Sequence, residues 1–214
     1  MNFINKKFNK LALQGYLFAQ QKCRMFTTSV HTSHLVLDPL YVTGFVDGEG
    51  SFGIYFQKRS NYRLGHQVKF EFGILLHEKD RDLLENIKLF FDGAGGIHKH
   101  GESSLKYKVT SIKDISKIIE HFDKYSLLTK KRADYLLFKR ALDLINSKEH
   151  LSDEGLRKMI GIKASMNLGL TEGLKEVFPA VIPEERPLIE EPEIKDPHWL
   201  AGFVDAEGEF LNRH

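Results

Sequence analysis

Cysteine is nearly absent from this 214-residue chain, which contains one, Cys23. A lone thiol excludes an intramolecular disulfide and any zinc site built from several cysteines. Long apolar runs are missing as well, so the sequence predicts no membrane-spanning helix. The hydrophobic content of 42% is typical of a globular domain, and the net charge is only +2. The distribution of charge, rather than its total, must therefore indicate the partners.

Acidic residues are absent from residues 1–37, and the first carboxylate of the chain is Asp38. The segment is basic and contains the hydroxyl-rich run Thr27-Thr28-Ser29. This composition is typical of a mitochondrial transit peptide, so we expect a protein of the mitochondrion. Translation from an upstream reading frame and a disordered basic tail remain as alternatives. In each case we exclude this leader from the folded domain.

A ten-residue pattern occurs twice in the rest of the chain, at residues 41–50 and at residues 199–208. Both copies contain the sequence Gly-Phe-Val-Asp, then Gly or Ala, then Glu-Gly. Each copy predicts a short apolar helix that ends in two acidic residues separated by one small residue. One such ending alone is typical of an ordinary helix terminus, but two copies this far apart favour a functional pair.

Small residues recur at four-residue spacing in both copies, as Gly44 and Gly48 and as Gly202 and Ala206. This spacing places them on one face of each helix, where two helix backbones can approach closely. If the helices cross there, the second acidic residues of the two motifs meet at the same end of the contact. Two carboxylates repel each other unless a cation lies between them, and oxygen ligands suit Mg²⁺ better than a soft metal.

Alternating apolar and polar residues predict two antiparallel hairpins with one solvated face, and helical periodicity predicts the segments around them. The predicted strands are 51–59, 66–76, 97–100 and 105–110, and the predicted later helices are 78–91, 114–122, about 130–146, 152–166 and 171–177. A Pro- and acid-rich stretch at 179–197 predicts an extended linker. Its acids would keep it away from a phosphate backbone.

The solvated face of the two hairpins is polar and largely basic. Its residues are Ser51, Tyr55, Gln57, Arg59, Arg63, Gln67, Lys69, His98, His100, Lys106 and Lys108, with Glu71 as the main acid. Lys and Arg neutralise phosphates, while Gln, Ser and Tyr contact bases and sugars, so the face is a candidate DNA-binding surface. A plain solvated sheet face is the alternative. We interpret the two histidines as exposed contacts, because no cysteine or His–Glu pairing suggests a metal site there.

The two motif copies resemble those of the LAGLIDADG homing endonucleases, in the single-chain form that carries two motifs. The segments 122–129, 134–138, 148–151 and 156–159 also look like the helical part of that family's first half, and the resemblance covers roughly residues 38 to 210. It implies an α+β fold whose half-domain has the order αββαββα, with a saddle-shaped antiparallel sheet and extra helices. It also implies site-specific cleavage of double-stranded DNA, with Mg²⁺, for intron homing.

The resemblance assigns metal binding to the second acidic residue of each motif, which here is Glu49 and Glu207. The residues before them, Gly48 and Ala206, would offer their backbone carbonyls to the same Mg²⁺. A basic residue after the third helix of a half-domain helps to order water around the scissile phosphate, and Lys131 is the candidate that we choose over its neighbour Lys130.

Asp47 and Asp205, the first acidic residues of the motifs, are expected to cap or orient the helix ends rather than to bind the ion. An RNA-binding group I intron maturase built on the same fold is an alternative function, and a non-catalytic DNA-binding remnant is another. Intact glutamates in both motifs favour cleavage, because binding of intron RNA alone does not require them.

The sequence departs from the family pattern after the second motif. The predicted organisation is a leader at 1–37, a first half-domain at 38–178, a linker at 179–197 and the start of a second half-domain at 198–214, without its hairpins. Three explanations stay open: a fragment of a longer reading frame, a decayed and inactive product, or a homodimer that pairs two chains through the first motif.

Overall fold

The computed structural model of the chain describes residues 36–60, 65–190 and 193–208. Three predicted features therefore lie outside the described residues: nearly all of the leader, the DNA contact Arg63, and the segment 209–214 after the second motif. Within the described part of the chain, no helix combines the length and the apolar character that a bilayer crossing needs.

The chain forms seven α-helices and four β-strands within the described ranges. The helices are α1 (Pro39–Glu49), α2 (Arg81–Phe90), α3 (Ile112–Lys124), α4 (Lys131–Asn146), α5 (Asp153–Ala164), α6 (Glu172–Val177) and α7 (Pro197–Ala206). The strands are β1 (Gly50–Lys58), β2 (His66–His77), β3 (Gly96–His100) and β4 (Ser104–Val109), and single 3₁₀ turns occupy Glu78–Asp80 and Glu149–Leu151. The order from α1 to α3 confirms the predicted αββαββα half-domain.

The two motif helices begin with the same local signals. The side chain of Asp38 accepts hydrogen bonds from the backbone N–H groups of Leu40 and Tyr41, and Pro39 occupies the first turn. Asp196 likewise accepts a hydrogen bond from the N–H of His198, after which Pro197 opens α7. An acidic N-cap satisfies free backbone donors, and proline suits the first helical position because it has no N–H to leave unpaired.

The four strands form one antiparallel sheet in the order β1-β2-β4-β3. One face of the sheet packs against the helices, and the centre of this core is Phe52 on β1. Its ring lies 5.4 to 5.8 Å from the rings of Phe72, Phe122, Tyr135 and Phe138. The opposite face of the sheet remains uncovered by the described helices and carries the polar residues.

The stretch predicted as an extended linker has no regular secondary structure over residues 179–190, and it is tied to the helices beside it. The backbone N–H of Glu184 donates to the carbonyl of Gly161 on α5 at 3.0 Å, and the Glu184 side chain pairs with Arg140 on α4 at 2.5 Å. The guanidinium of Arg186 binds both carboxylate oxygens of Asp134, at 2.8 and 2.9 Å. These contacts hold residues 184–186 against α4 and α5.

Candidate active site and nucleic-acid interface

Helices α1 and α7 touch backbone to backbone at their small residues. A Cβ atom added to Gly44 would overlap the carbonyl oxygen of Trp199, and one added to Gly202 would overlap the carbonyl oxygen of Tyr41. At the far end of the contact, a Cβ on Gly48 would overlap the Cβ of Ala206. The close approach predicted from the four-residue spacing is therefore confirmed.

Two crossed hydrogen bonds join the same helices. The hydroxyl of Tyr41 donates to the carboxylate of Asp205 at 2.9 Å, and the indole N–H of Trp199 donates to the carboxylate of Asp47 at 2.9 Å. Each bond runs from the first residue of one motif to the first acid of the other. This pairing was not predicted from the sequence, although an aromatic donor precedes the acid by six positions in both copies.

Asp47 is buried and has three further donors. Its carboxylate accepts hydrogen bonds from the N–H of Leu128 at 2.7 Å, and from the N–H and hydroxyl of Thr129 at 3.2 and 2.7 Å. A buried carboxylate that receives several hydrogen bonds stabilises the groups around it, because each of those donors would otherwise lose its partner. Asp47 thus ties the end of α1 to the turn before α4 and to α7, as expected of a residue that orients the helix end.

Lys131, at the start of α4, reaches the C-terminal end of α1. Its amine donates to the carbonyl of Val46 at 2.9 Å and to the carbonyl of Gly48 at 2.7 Å. An ammonium group has three donors, so one remains for another acceptor. Burial lowers the pKa of Lys131, and nearby carboxylates, among them Glu49 and Glu207, oppose that change.

Glu207 extends toward the first motif. Its Oε1 atom lies 3.7 Å from the position that a Cβ on Gly48 would occupy, so a side chain at Gly48 would crowd this carboxylate. Glu49 is the last residue of α1, and the amine of Lys131 binds the carbonyl of Gly48 directly before it. With Glu207 beside Gly48, the three charged groups share one end of the α1–α7 contact. The structure therefore brings together the three side chains that the sequence analysis selected as catalytic.

The donors at this end of the helix pair are oxygen atoms of the kind that hard divalent cations prefer. They comprise two carboxylates and the backbone carbonyls of Gly48 and Ala206. The carbonyl of Gly48 already accepts from Lys131 but keeps a second lone pair. Among the described residues there is no cluster of three or more His, Cys, Asp or Glu side chains suited to a metal. This set of oxygen donors fits a hard divalent cation.

The strand register places the predicted DNA contacts on one face of the sheet. Tyr55 lies opposite Lys69, and the next pair on the same face is Gln57 with Gln67. Lys106 pairs with His98, and the neighbouring strand places Leu75 beside it. The residues predicted for this face and found on it are Ser51, Tyr55, Gln57, Gln67, Lys69, His98, His100, Lys106 and Lys108, and Arg59 follows directly after β1.

Glu71 reduces the positive charge of this face more than its position in the sequence suggests. Its carboxylate pairs with the amines of Lys106 at 2.5 Å and Lys108 at 2.9 Å. Burial alone would raise the pKa of Glu71, but the hydrogen bonds from the two lysines outweigh it and hold that pKa below the usual range. Glu71 therefore stays ionised and balances one of the two lysines.

Two apolar features of the face were not predicted. Leu75 is exposed on this face, because the side chains of β2 continue to alternate between the two faces after its polar first half. The ring of Tyr55 covers Gly53, where an added Cβ would lie 2.7 to 2.9 Å from the ring and hydroxyl atoms. Tyr55 is nevertheless half-exposed and can present its edge to a ligand.

Comparison with known proteins identifies the relatives of the chain. Residues 42–142 match the family model described as LAGLIDADG endonuclease. The chain is 42% identical over 184 residues to the probable intron-encoded endonuclease 3 of Neurospora crassa, covering 85% of this chain and 34% of that protein. It is 46% identical over 144 residues to an uncharacterized 50.9 kDa protein in ND4 intron 1 of Podospora anserina, covering 66% of this chain and 31% of that one. The chain thus spans about a third of the length of these relatives.

Solved structures show the same fold. The LAGLIDADG homing endonuclease I-SmaMI bound to cleaved DNA is 47% identical with a TM-score of 0.78, over 79% of this chain and 57% of that one. The homing endonuclease I-GzeII in complex with its DNA target is 48% identical with a TM-score of 0.75, over 79% of this chain and 58% of that one. Another I-SmaMI structure holds an uncleaved DNA target in the presence of calcium ions. The chain belongs to the LAGLIDADG endonuclease family.

Proposed function

We propose that this chain provides the two motif helices and one DNA-binding β-sheet of a homing endonuclease. This enzyme would cleave double-stranded DNA at a specific site with Mg²⁺. The observation that carries the proposal is the packing of α1 on α7, which brings Glu49, Glu207 and Lys131 to one end of the helix pair. That end continues directly into β1, whose outward face is polar. The names of the relatives and the DNA complexes of the solved neighbours support a DNA endonuclease function.

Glu49 and Glu207 would hold the ion, with the carbonyls of Gly48 and Ala206 beside them. When bound, Mg²⁺ supplies an acidified water and neutralises charge on the phosphoryl group. Lys131 has one amine proton left after its two bonds to α1, and this proton suits a phosphate oxygen or an ordered water. A charged donor that is already fixed in position loses little freedom on meeting such a group.

The outward face of the sheet would lie in the major groove, which is wide enough for a two-stranded ribbon. Arg59 and Lys69 form no ion pair with a described carboxylate, so they suit direct contact with phosphates. Lys106 and Lys108 share Glu71 and together add about one net positive charge. Gln57 and Gln67, paired across the strands, are suited to base edges.

We also propose a mitochondrial setting, since one relative is named for an ND4 intron and the leader at 1–37 is basic. The proposed organisation keeps the first half-domain at 38–178, the linker at 179–197 and the second motif at 198–214. Pairing of two chains through α1 would require displacement of α7, because α7 covers the small residues of α1 in this structure.

The test combines cleavage with binding. The purified chain is incubated with Mg²⁺ and intronless DNA that spans the intron insertion site. Glu49→Gln is compared with Glu85→Gln, which changes a partly exposed residue of α2. We expect Glu49→Gln to abolish nicking or cutting while DNA binding persists, and Glu85→Gln to behave as the unmodified chain. Undiminished cleavage by Glu49→Gln would remove this residue from the site. Tight binding of the cognate intron RNA with no DNA nicking would favour the maturase alternative.

A further inference from the structure

A cavity of about 450 Å³ opens beside β1, at the sheet edge that lies next to the motif helices. Its walls come from two parts of the chain. Ser51, Gly53 and Tyr55 contribute the outward face of β1, and Lys163 at the end of α5 contributes the other side together with the segment 167–171. Ser51 is two residues after Glu49, so the cavity begins where the candidate active site ends.

The segment that walls the cavity is held in place. Asn167 has a left-handed backbone with φ of 48°, its N–H donates to Asp134 at 2.9 Å, and its side-chain amide donates to the carbonyl of Phe52 at 2.8 Å. Asp134 is in turn bound by Arg186 from the linker. Since β1 is the edge strand, the bond to Phe52 fixes the segment directly against it. The cavity is therefore preformed.

Lys163 is the charged group of this cavity. Its side chain is half-buried, and it forms no ion pair within 4 Å with a carboxylate of the described residues. Burial lowers the pKa of Lys163, and the more distant Asp134 opposes that change. Lys158, on the same helix, differs because it is exposed and pairs with Glu154 at 3.1 Å. A partly desolvated amine without an adjacent counter-charge favours an anionic ligand in the space before it.

We propose that this cavity binds a backbone phosphate of DNA next to the cleavage position, with Lys163 neutralising the phosphate and the segment 167–171 positioning the strand. The inference rests on the proposed DNA endonuclease function and adds a contact outside the strand residues. Thr171 lines the same wall, and Leu168 in this wall is fully exposed, where it can contact a deoxyribose. The hydroxyl of Ser51 donates to the carbonyl of Gly73 and keeps lone pairs for water in the cavity.

The first measurement is binding of the full chain to a random-sequence duplex at a series of KCl concentrations, by fluorescence anisotropy. Each phosphate contact contributes about 0.9 to the slope of log K against log salt. Lys163→Gln should reduce the slope by about one and weaken binding several-fold, and Lys163→Arg should restore most of both. The matched control Lys158→Gln should change neither. Equal behaviour of Lys163→Gln and Lys158→Gln overturns the inference, whereas an unmodified chain that binds no duplex overturns the proposed function itself.

The second measurement needs no variant and so does not depend on the folding of one. Lysines of the unmodified chain are acetylated with and without the duplex, and modification is read by mass spectrometry. The duplex should protect Lys163 and leave Lys158 reactive. Inorganic phosphate alone should protect neither at comparable phosphate concentration. Unchanged reactivity of Lys163, or protection by a structured RNA and not by the duplex, contradicts the proposal.

Discussion

The two motif helices share most of their sequence and differ in how the protein holds them. Helix α1 is buried along most of its length, including Val42, Phe45 and Val46, whereas the buried residues of α7 are Trp199 and Gly202. The acid of α1 receives four hydrogen bonds, and the corresponding acid of α7 receives one from Tyr41. The motif therefore fixes the contact between the helices, while the half-domain around α1 fixes where that contact lies.

The largest expected effect comes from separating the helices. Gly44→Val places a side chain where the carbonyl of Trp199 lies. We expect it to destabilise the packing of α7 on α1 by roughly 5 kcal/mol, because the backbone of both helices prevents relaxation. Trp199 is the single tryptophan of the chain, so its fluorescence reports whether α7 stays docked. The emission should shift to the red.

Gly173→Ala is the control for that variant, because an added Cβ at Gly173 meets no atom within 4 Å. It should leave the emission unchanged and add up to about 1 kcal/mol of stability, since alanine favours helix. A native emission spectrum for Gly44→Val would contradict the backbone contact.

The second prediction compares the two acids directly. Asp47→Ala leaves two backbone N–H groups, a hydroxyl and an indole without their acceptor, and should cost about 4 kcal/mol in free energy of unfolding. Asp205→Ala removes the acceptor of the Tyr41 hydroxyl alone and should cost about 1 kcal/mol. Urea denaturation followed by circular dichroism measures both. Equal losses in the free energy of unfolding would contradict a stronger structural role for Asp47 than for Asp205.

A third prediction concerns a contact present on α1 and missing from α7. Thr43 lies 3.0 Å from the ring of His121, whereas the second motif has Ala201 at the matching position. Burial lowers the pKa of His121 to about 4, so the unfolded chain binds this proton more tightly than the folded one. The contribution of His121 to the free energy of unfolding is therefore complete above the ordinary histidine pKa of about 6.5. It falls by about 3 kcal/mol as the pH is lowered toward 4.

His121→Phe should flatten this part of the pH profile, because the neighbouring rings of Phe90, Phe91 and Phe122 accept an aromatic side chain. His100→Phe, at an exposed strand position, should leave the profile unchanged. Denaturation midpoints measured between pH 4 and 7 test this prediction. If the midpoint of His121→Phe still depends on pH as in the unmodified chain, the pH dependence belongs to other groups.

The smallest expected effect is that of Tyr41→Phe, which keeps the ring and removes the hydrogen bond to Asp205. We expect a loss of about 1 kcal/mol, comparable to that of Asp205→Ala, because both changes break the same bond. Combining the two changes should cost little more than either one. A double-mutant cycle measures this coupling, and full additivity would mean that the two groups do not interact.

Much of the fold follows from local patterns that the sequence displays. The acid-proline starts of α1 and α7, the alternation along β1 and β2, and the four-residue spacing of Gly44 and Gly48 all concern residues close in sequence. Each pattern has a direct physical cause in capping, side-chain alternation or close packing. The helices, strands and helix crossing were accordingly predicted from the sequence.

The parts that escaped prediction depend on residues far apart in the chain. Arg186 reaches Asp134 from the linker, and Asn167 reaches the carbonyl of Phe52, so neither partner can be chosen from local sequence. The pairing of Glu71 with two lysines of β4 depends on the order of the strands, which alternation alone does not give. The roles of Glu49, Glu207 and Lys131 in catalysis stay predictions.

The most direct test of a shared cation site uses Fe²⁺ in place of Mg²⁺, with the chain bound to duplex DNA. Hydrogen peroxide and ascorbate then generate hydroxyl radicals at the bound iron, which cut nearby peptide bonds. We predict cuts beside both Glu49 and Glu207, suppressed together by Glu49→Gln and by excess Mg²⁺. Cuts at one motif alone, or at sites away from both, would contradict the account that the two helices hold one group of ions between them.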